Sequence, residues 1–177
     1  LSTKTMANKI NRLRKFFEYC ELCGIIAINP VDGVKAPKVI KGEGVRAFND
    51  QEIRRILDMT PNPRSHQYSV LAHTGLRVGE AKALRWAHVD ITQRMAITLP
   101  AEITKSRMMQ VIPLSHEAFS SISRLHHPAV LPADPVFGPL DDKTLRRDIH
   151  RAGVRVIDAR GLSAGFHSFR KYFSTAL

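Results

Sequence analysis

Cysteine is almost missing from this 177-residue chain: it has two, Cys20 and Cys23, and no second Cys or His pair beside them. A disulfide framework is excluded, and a structural zinc site, which needs about four ligands, is not implied. Both thiols fall in a helical pattern, so the expectation is two reduced side chains at or near a core face, as in a reducing compartment. Acidic residues are scarce, 16 against 27 Lys plus Arg, for a formal charge of +11. Long apolar runs are lacking too: none approaches the ~20 residues of a membrane helix, and no signal-peptide core is present. These features predict a cytoplasmic protein with no membrane partner.

What remains is a sequence 44% hydrophobic and 24% charged, enough for one ordinary globular domain and a smaller piece. A pI near 10.2 exceeds what solubility needs and names a polyanion as partner. Charge alone does not separate an enzyme from a passive nucleic-acid binder.

Met6, Ile10, Leu13, Phe17 and Cys20 recur at steps of three and four, which predicts an amphipathic helix ending near Gly24. After Asn29-Pro30, the stretch from Lys35 to Gly44 mixes Pro, Gly and Lys without period, as linkers do. The domain boundary is placed there, giving pieces 1–41 and 42–177. Asn49 with Glu52 makes an N-cap pair for a short helix through Ile53, Ile56 and Leu57. A helix over 65–74 follows, and Gly75 then allows a sharp turn that puts Arg77 at or near a helix start. Residues 95–99 and 109–113 read as two strands, with Lys105 on their connection. Ser115 caps a helix through Phe119, Ile122 and Leu125, and prolines 128, 132, 135 and 139 force an irregular loop. Asp141 or Asp142 opens a further helix with Leu145, Ile149 and Ala152 inward and Lys143, Arg146, Arg147 and Arg151 outward.

Three stretches carry the chemistry: Thr74-Gly-Leu-Arg77-Val-Gly-Glu80, Thr104-Lys105-Ser106-Arg107, and His167-Ser-Phe-Arg170. Arg77 and Glu80 lie three apart and can pair on one helix face. His167 and Arg170 have the same spacing, which would aim imidazole and guanidinium at one point on a helix. Taken singly, each is commoner as a surface ion pair or a solvated side chain than as a site. Together they gather four phosphate-seeking groups that only a folded domain could unite.

In order, elements and spacing these stretches resemble the tyrosine recombinases, the phage integrase family. The run from Thr74 to Trp86 is similar to that family's first arginine box, Thr104-Lys105-Ser106 to its hairpin lysine, and His167 to Thr175 to its second box. Glu21 to Pro30 resembles the end of the last helix of the family's core-binding domain. The resemblance implies a mainly α fold with a small antiparallel sheet, preceded by the tail of a helical DNA-gripping domain. It implies that Arg77 and Arg170 hold a scissile phosphate, Glu80 positions Arg77, His167 completes the cradle and Lys105 protonates the leaving 5′ oxygen. Lys9, Arg12, Lys38, Lys41, Arg146 and Arg147 are then candidates for contacts to double-stranded DNA. No cofactor or metal is expected, because arginines supply the charge, and a homotetramer on paired sites is the expected assembly.

The family's nucleophilic tyrosine lies some tens of residues beyond the second arginine, and Tyr19, Tyr68 and Tyr172 do not occupy its place. The expectation is therefore a fragment of a site-specific recombinase, inactive alone. A non-catalytic DNA-binding module and a type IB topoisomerase are the alternatives.

Overall fold

The computed structural model describes residues 3–38 and 44–175 and divides the chain into two compact units, 1–43 and 44–177. In the first unit, α1 (Thr3–Leu22) buries Ala7 and Cys20. The helical period was legible, but Met6 and Leu13 of the anticipated apolar face stand exposed with Phe16 and Tyr19. Cys23 lies past the helix and is exposed, so only one thiol is buried. The segment after the helix is tied back by polar contacts: Asn29 Nδ2 donates to the Arg14 carbonyl at 3.2 Å, and the Arg14 guanidinium to that of Val34 at 2.8 Å.

The second unit is built on α3 (Arg64–Thr74), whose residues Gln67 to Ala72 are all buried. Around it pack α2 (Asp50–Met59), α5 (His116–Leu125) and α7 (Phe166–Thr175). Helix α2 opens with a reciprocal cap, Glu52 N–H to Asn49 Oδ1 at 2.9 Å and Asn49 N–H to Glu52 Oε2 at 3.1 Å. Such a cap satisfies two otherwise orphaned donors. Ser115 caps α5, and Asp141 caps α6 (Asp142–Arg151) by accepting the Thr144 N–H at 2.8 Å.

Between α4 (Val78–Ala83) and α5 runs a three-stranded antiparallel sheet, β1 (Val89–Asp90), β2 (Ala96–Leu99) and β3 (Gln110–Pro113). Ile97 of β2 faces both Val89 and Ile112. The sheet therefore has one strand more than the sequence reading anticipated. Two residues of β1, following a 3-10 turn at Trp86–His88, are too few to display a period. The proline-rich loop is fastened to that turn by Trp86 N–H to Asp134 O and Ala87 N–H to Pro132 O, at 3.1 and 2.8 Å.

The core is aromatic where α3 meets α7: the Tyr68 and Phe169 rings stack at 5.5 Å, and Phe48 lies 5.1 Å from Phe169. Each such buried ring is worth roughly 1.5–3 kcal/mol relative to exposure. Helix α6 departs from a purely apolar inner face, for Asp148 is fully buried between Leu145 and Ile149. Its carboxylate accepts Arg64 Nε at 2.8 Å, Arg64 Nη2 at 3.1 Å and Tyr68 Oη at 3.0 Å. Burial alone would raise the Asp148 pKa. The Arg64 and Tyr68 hydrogen bonds, with the Arg64 and Arg151 charges, outweigh it and hold the group below the ordinary aspartate value. Burial and the hydrogen bond to Asp148 push the Tyr68 phenol upward, so it stays protonated.

Candidate active site

A cavity of about 390 Å³ opens where α4, the β2–β3 connection and the start of α7 converge. Arg77, Glu80, Lys105 and His167 all line it, over a floor that includes Leu76, Ile103 and Phe166. Residues up to 90 positions apart in sequence are thus united by the fold.

Arg77 reaches this place because α3 ends on Gly75, whose φ of +63° is left-handed. Two residues later Arg77 is the N-cap of α4. Glu80, one turn into that helix and 3% exposed, accepts the Arg77 backbone N–H at 2.9 Å and Nη1 at 2.8 Å. One buried carboxylate therefore fixes both ends of the arginine.

Lys105 sits in the turn between β2 and β3, exposed and hydrogen-bonded to nothing among the described residues. Its neighbour Thr104 is buried and holds the turn, accepting the Met108 N–H at 3.2 Å and lying 2.8 Å from the Met108 carbonyl. Arg107 adopts φ +56°, which closes the turn. The anchoring role of Thr104 was missed from sequence, where it was only part of the motif around Lys105.

His167 lies in the first turn of α7, exposed at the cavity wall. Ser168 beside it is fully buried and accepts the Gly165 N–H at 3.0 Å, which fixes the start of the helix. Arg170 is half-buried and does not line the cavity. Its Nη1 donates to the Gly75 carbonyl at 2.5 Å, so the guanidinium is held against the backbone two residues from Arg77.

A second groove, about 490 Å³, shares Val78, Phe166 and His167 with the first and brings Lys82 and Arg146 beside it. Asp141 and Asp142 line it as well. Arg147 is exposed on α6 outside both cavities. Lys9, Arg12 and Lys38 are exposed in the first unit, and Lys41 lies outside the described residues.

Among the described residues no cluster of three or more His, Cys, Asp or Glu could hold a metal, and no helix is long and apolar enough to cross a membrane. The cavity brings the Arg77 guanidinium, itself paired with Glu80, and the Lys105 ammonium to an apolar lining, a setting that suits an anion.

Residues 46–177 match the model of the phage integrase family. Prophage integrase IntZ of Escherichia coli K12 is 27% identical over 176 residues, covering 94% of this chain and 42% of that protein. A XerC-like tyrosine recombinase of Caldanaerobacter subterraneus is 30% identical over 122 residues, 66% of this chain and 29% of its own length. The chain thus spans less than half of either relative. Among solved structures, the Tn1549 transposon integrase in complex with circular intermediate DNA superposes with a TM-score of 0.71 at 18% identity. That match covers 100% of this chain and 67% of that one, and its likeness is one of fold. The architecture with its small antiparallel sheet and the match over residues 46–177 agree, and the chain belongs to the phage integrase family of tyrosine recombinases.

Proposed function

We propose that this chain supplies the phosphate cradle of a site-specific DNA recombinase that breaks and rejoins strands by transesterification. The observation that carries the reading is the convergence of Arg77, Lys105 and His167 on one cavity, with Arg170 bonded to the backbone two residues from Arg77.

In this reading Arg77 and Arg170 donate to the non-bridging oxygens of the scissile phosphate. Planar guanidiniums suit paired hydrogen bonds there, and they stabilise charge that grows in the transition state. A tyrosine hydroxyl attacks phosphorus, giving up its proton to water, and the bond to the 5′ oxygen breaks. Lys105 gives that oxygen its proton, and a 3′-phosphotyrosyl link and a 5′ hydroxyl remain. A 5′ hydroxyl of the partner strand then reverses the chemistry on the new junction and releases the tyrosine. One ester replaces another at each step, so no external energy source enters.

The attacking tyrosine is assigned to residues outside 1–177, in the same polypeptide or in a neighbouring subunit. Tyr68 is buried with its hydroxyl on Asp148, and none of the residues lining the cavity is a tyrosine. The partner is double-stranded DNA. Lys9, Arg12, Lys38 and Lys41 in the first unit, and Arg146 and Arg147 in the second, contribute phosphate contacts, and a homotetramer on paired sites is the working assembly. Residues 1–41 are read as the end of a DNA-gripping domain and 42–177 as the catalytic part, inactive without the tyrosine.

The test is covalent capture. The polypeptide is expressed from its natural start to its natural stop codon, incubated with nicked duplex carrying its own attachment site, and run on a denaturing gel. An adduct that disappears when one tyrosine outside residues 1–177 is changed to Phe supports the reading. Tight DNA binding with no adduct on any site would overturn it in favour of a passive DNA-binding module.

A further inference from the structure

We propose that Gly75 is a positioning residue that sets the separation between Arg77 and Arg170, through its carbonyl on one side and its missing Cβ on the other. The inference rests on the phosphate-cradle reading above.

Helix α7 meets Gly75 at two points. Arg170 donates Nη1 to the Gly75 carbonyl, and Phe173, one turn further along the same face, packs its ring against the Gly75 Cα. A Cβ built on Gly75 would fall 2.4 Å from Phe173 Cδ1 and 3.0 Å from its Cγ. Those are ring atoms near the base of the side chain, so relief requires the ring, and the helix turn that carries it, to shift. That turn also carries Arg170. On its other side Gly75 caps α3, its N–H reaching the Leu71 carbonyl at 3.1 Å, and the chain leaves directly for Arg77. One residue therefore sets where α3 releases Arg77 and how closely α7 brings Arg170.

A helix cap alone would not require this. The left-handed conformation at a helix end admits Asn as well as Gly, whereas the Phe173 contact admits no Cβ of any kind. Gly75→Asn weights the two demands differently, because Asn is the side chain that strains the left-handed backbone least while its Cβ still violates the packing.

The experiment measures the single-turnover rate of covalent capture and the DNA affinity of the full-length polypeptide for Gly75→Asn, for Phe173→Ala and for the pair. Expected is a fall in rate of at least about tenfold for Gly75→Asn at protein concentrations that saturate the duplex, and recovery in the double variant to within about threefold of Phe173→Ala alone, the non-additivity expected of residues in contact. A Gly75→Asn rate equal to wild type, or a loss that Phe173→Ala leaves unrelieved, would overturn the proposal. If Gly75→Asn does not fold, Phe173→Leu loosens the same contact from the other side and is paired with Arg170→Ala. The proposal then requires the two losses to overlap, and simple additivity contradicts it. If wild type gives no adduct at all, the recombinase reading falls by itself. The positioning claim is then decided by DNA affinity, where Gly75→Asn must weaken binding and add nothing to Arg170→Ala.

Discussion

Arg77 and Arg170 are tied to the protein at their guanidinium ends, Arg77 to the Glu80 carboxylate and Arg170 to the Gly75 carbonyl. Lys105 and His167 reach the same region with side chains that have no hydrogen-bond partner among the described residues. The held pair is preorganised, which is the property that makes fixed donors effective against charge developing in a transition state. Of the free pair, Lys105 can follow a proton, which is what the proposed general acid must do. The difference also extends to the ties themselves. Glu80 offsets the charge of Arg77, while the neutral carbonyl that ties Arg170 does not, so in the proposed cradle Arg170 would bring the larger net charge to the phosphate.

The most damaging way to break this comparison is to remove a held group. Arg77→Ala and Arg170→Ala should each slow covalent capture by about 10²–10³, and the double variant should lose less than the product, because both serve one phosphate. Rates measured at saturating protein decide this.

Removing the frame beneath the held side comes next. Asp148→Asn should cost about 1–3 kcal/mol of stability at neutral pH, since it takes the charge from a fully buried carboxylate that accepts hydrogen bonds from the partly exposed Arg64 and from Tyr68. The sign of the pH effect follows from the depressed native pKa. The Asp148 contribution is complete above about pH 4 and is lost as pH falls through the lower native value. Urea unfolding at neutral and at acid pH should show wild type losing its advantage over Asp148→Asn on acidification. An advantage that is unchanged or grows would refute the assignment.

On the free side, Lys105→Ala should slow capture by about 10². Replacing the bridging 5′ oxygen with sulfur, which leaves without a proton, should return the variant to near the wild-type rate on the same substrate. The same replacement should not rescue Arg77→Ala, and that contrast sharpens the division between charge stabilisation and proton donation.

The smallest expected effect concerns the surface. Arg147→Ala on α6 should weaken binding uniformly across DNA sequences and reduce the slope of log affinity against log salt by about one. A sequence-dependent loss would move Arg147 from the backbone to the bases.

Local chemistry made much of this legible before the fold was known. Asn49 with Glu52, Ser115 and Asp141 announced helix starts that the structure places there, because a cap is encoded within four residues. The Arg77–Glu80 pair was visible for the same reason. What stayed hidden depends on partners distant in sequence. Asp148 sits on a helix full of outward charge, and nothing within ten residues tells that Arg64 and Tyr68 will meet it. Arg46 is likewise buried against Glu52 and the Arg155 carbonyl without any local sign. The i, i+3 spacing of His167 and Arg170 was legible, but not that the Arg170 guanidinium would be held on the Gly75 carbonyl. Only the packing of α7 on the end of α3 determines that.

Transfer of a backbone phosphate to a tyrosine, with the 5′ oxygen as leaving group, is the chemistry proposed for this cradle. The most direct measurement is of the ends left on a cleaved strand. Expected are a 3′ end covalently joined to protein and a 5′ hydroxyl that accepts a labelled phosphate from a polynucleotide kinase without prior dephosphorylation. A protein-linked 5′ end, or free 3′ and 5′ ends produced by hydrolysis, would contradict it.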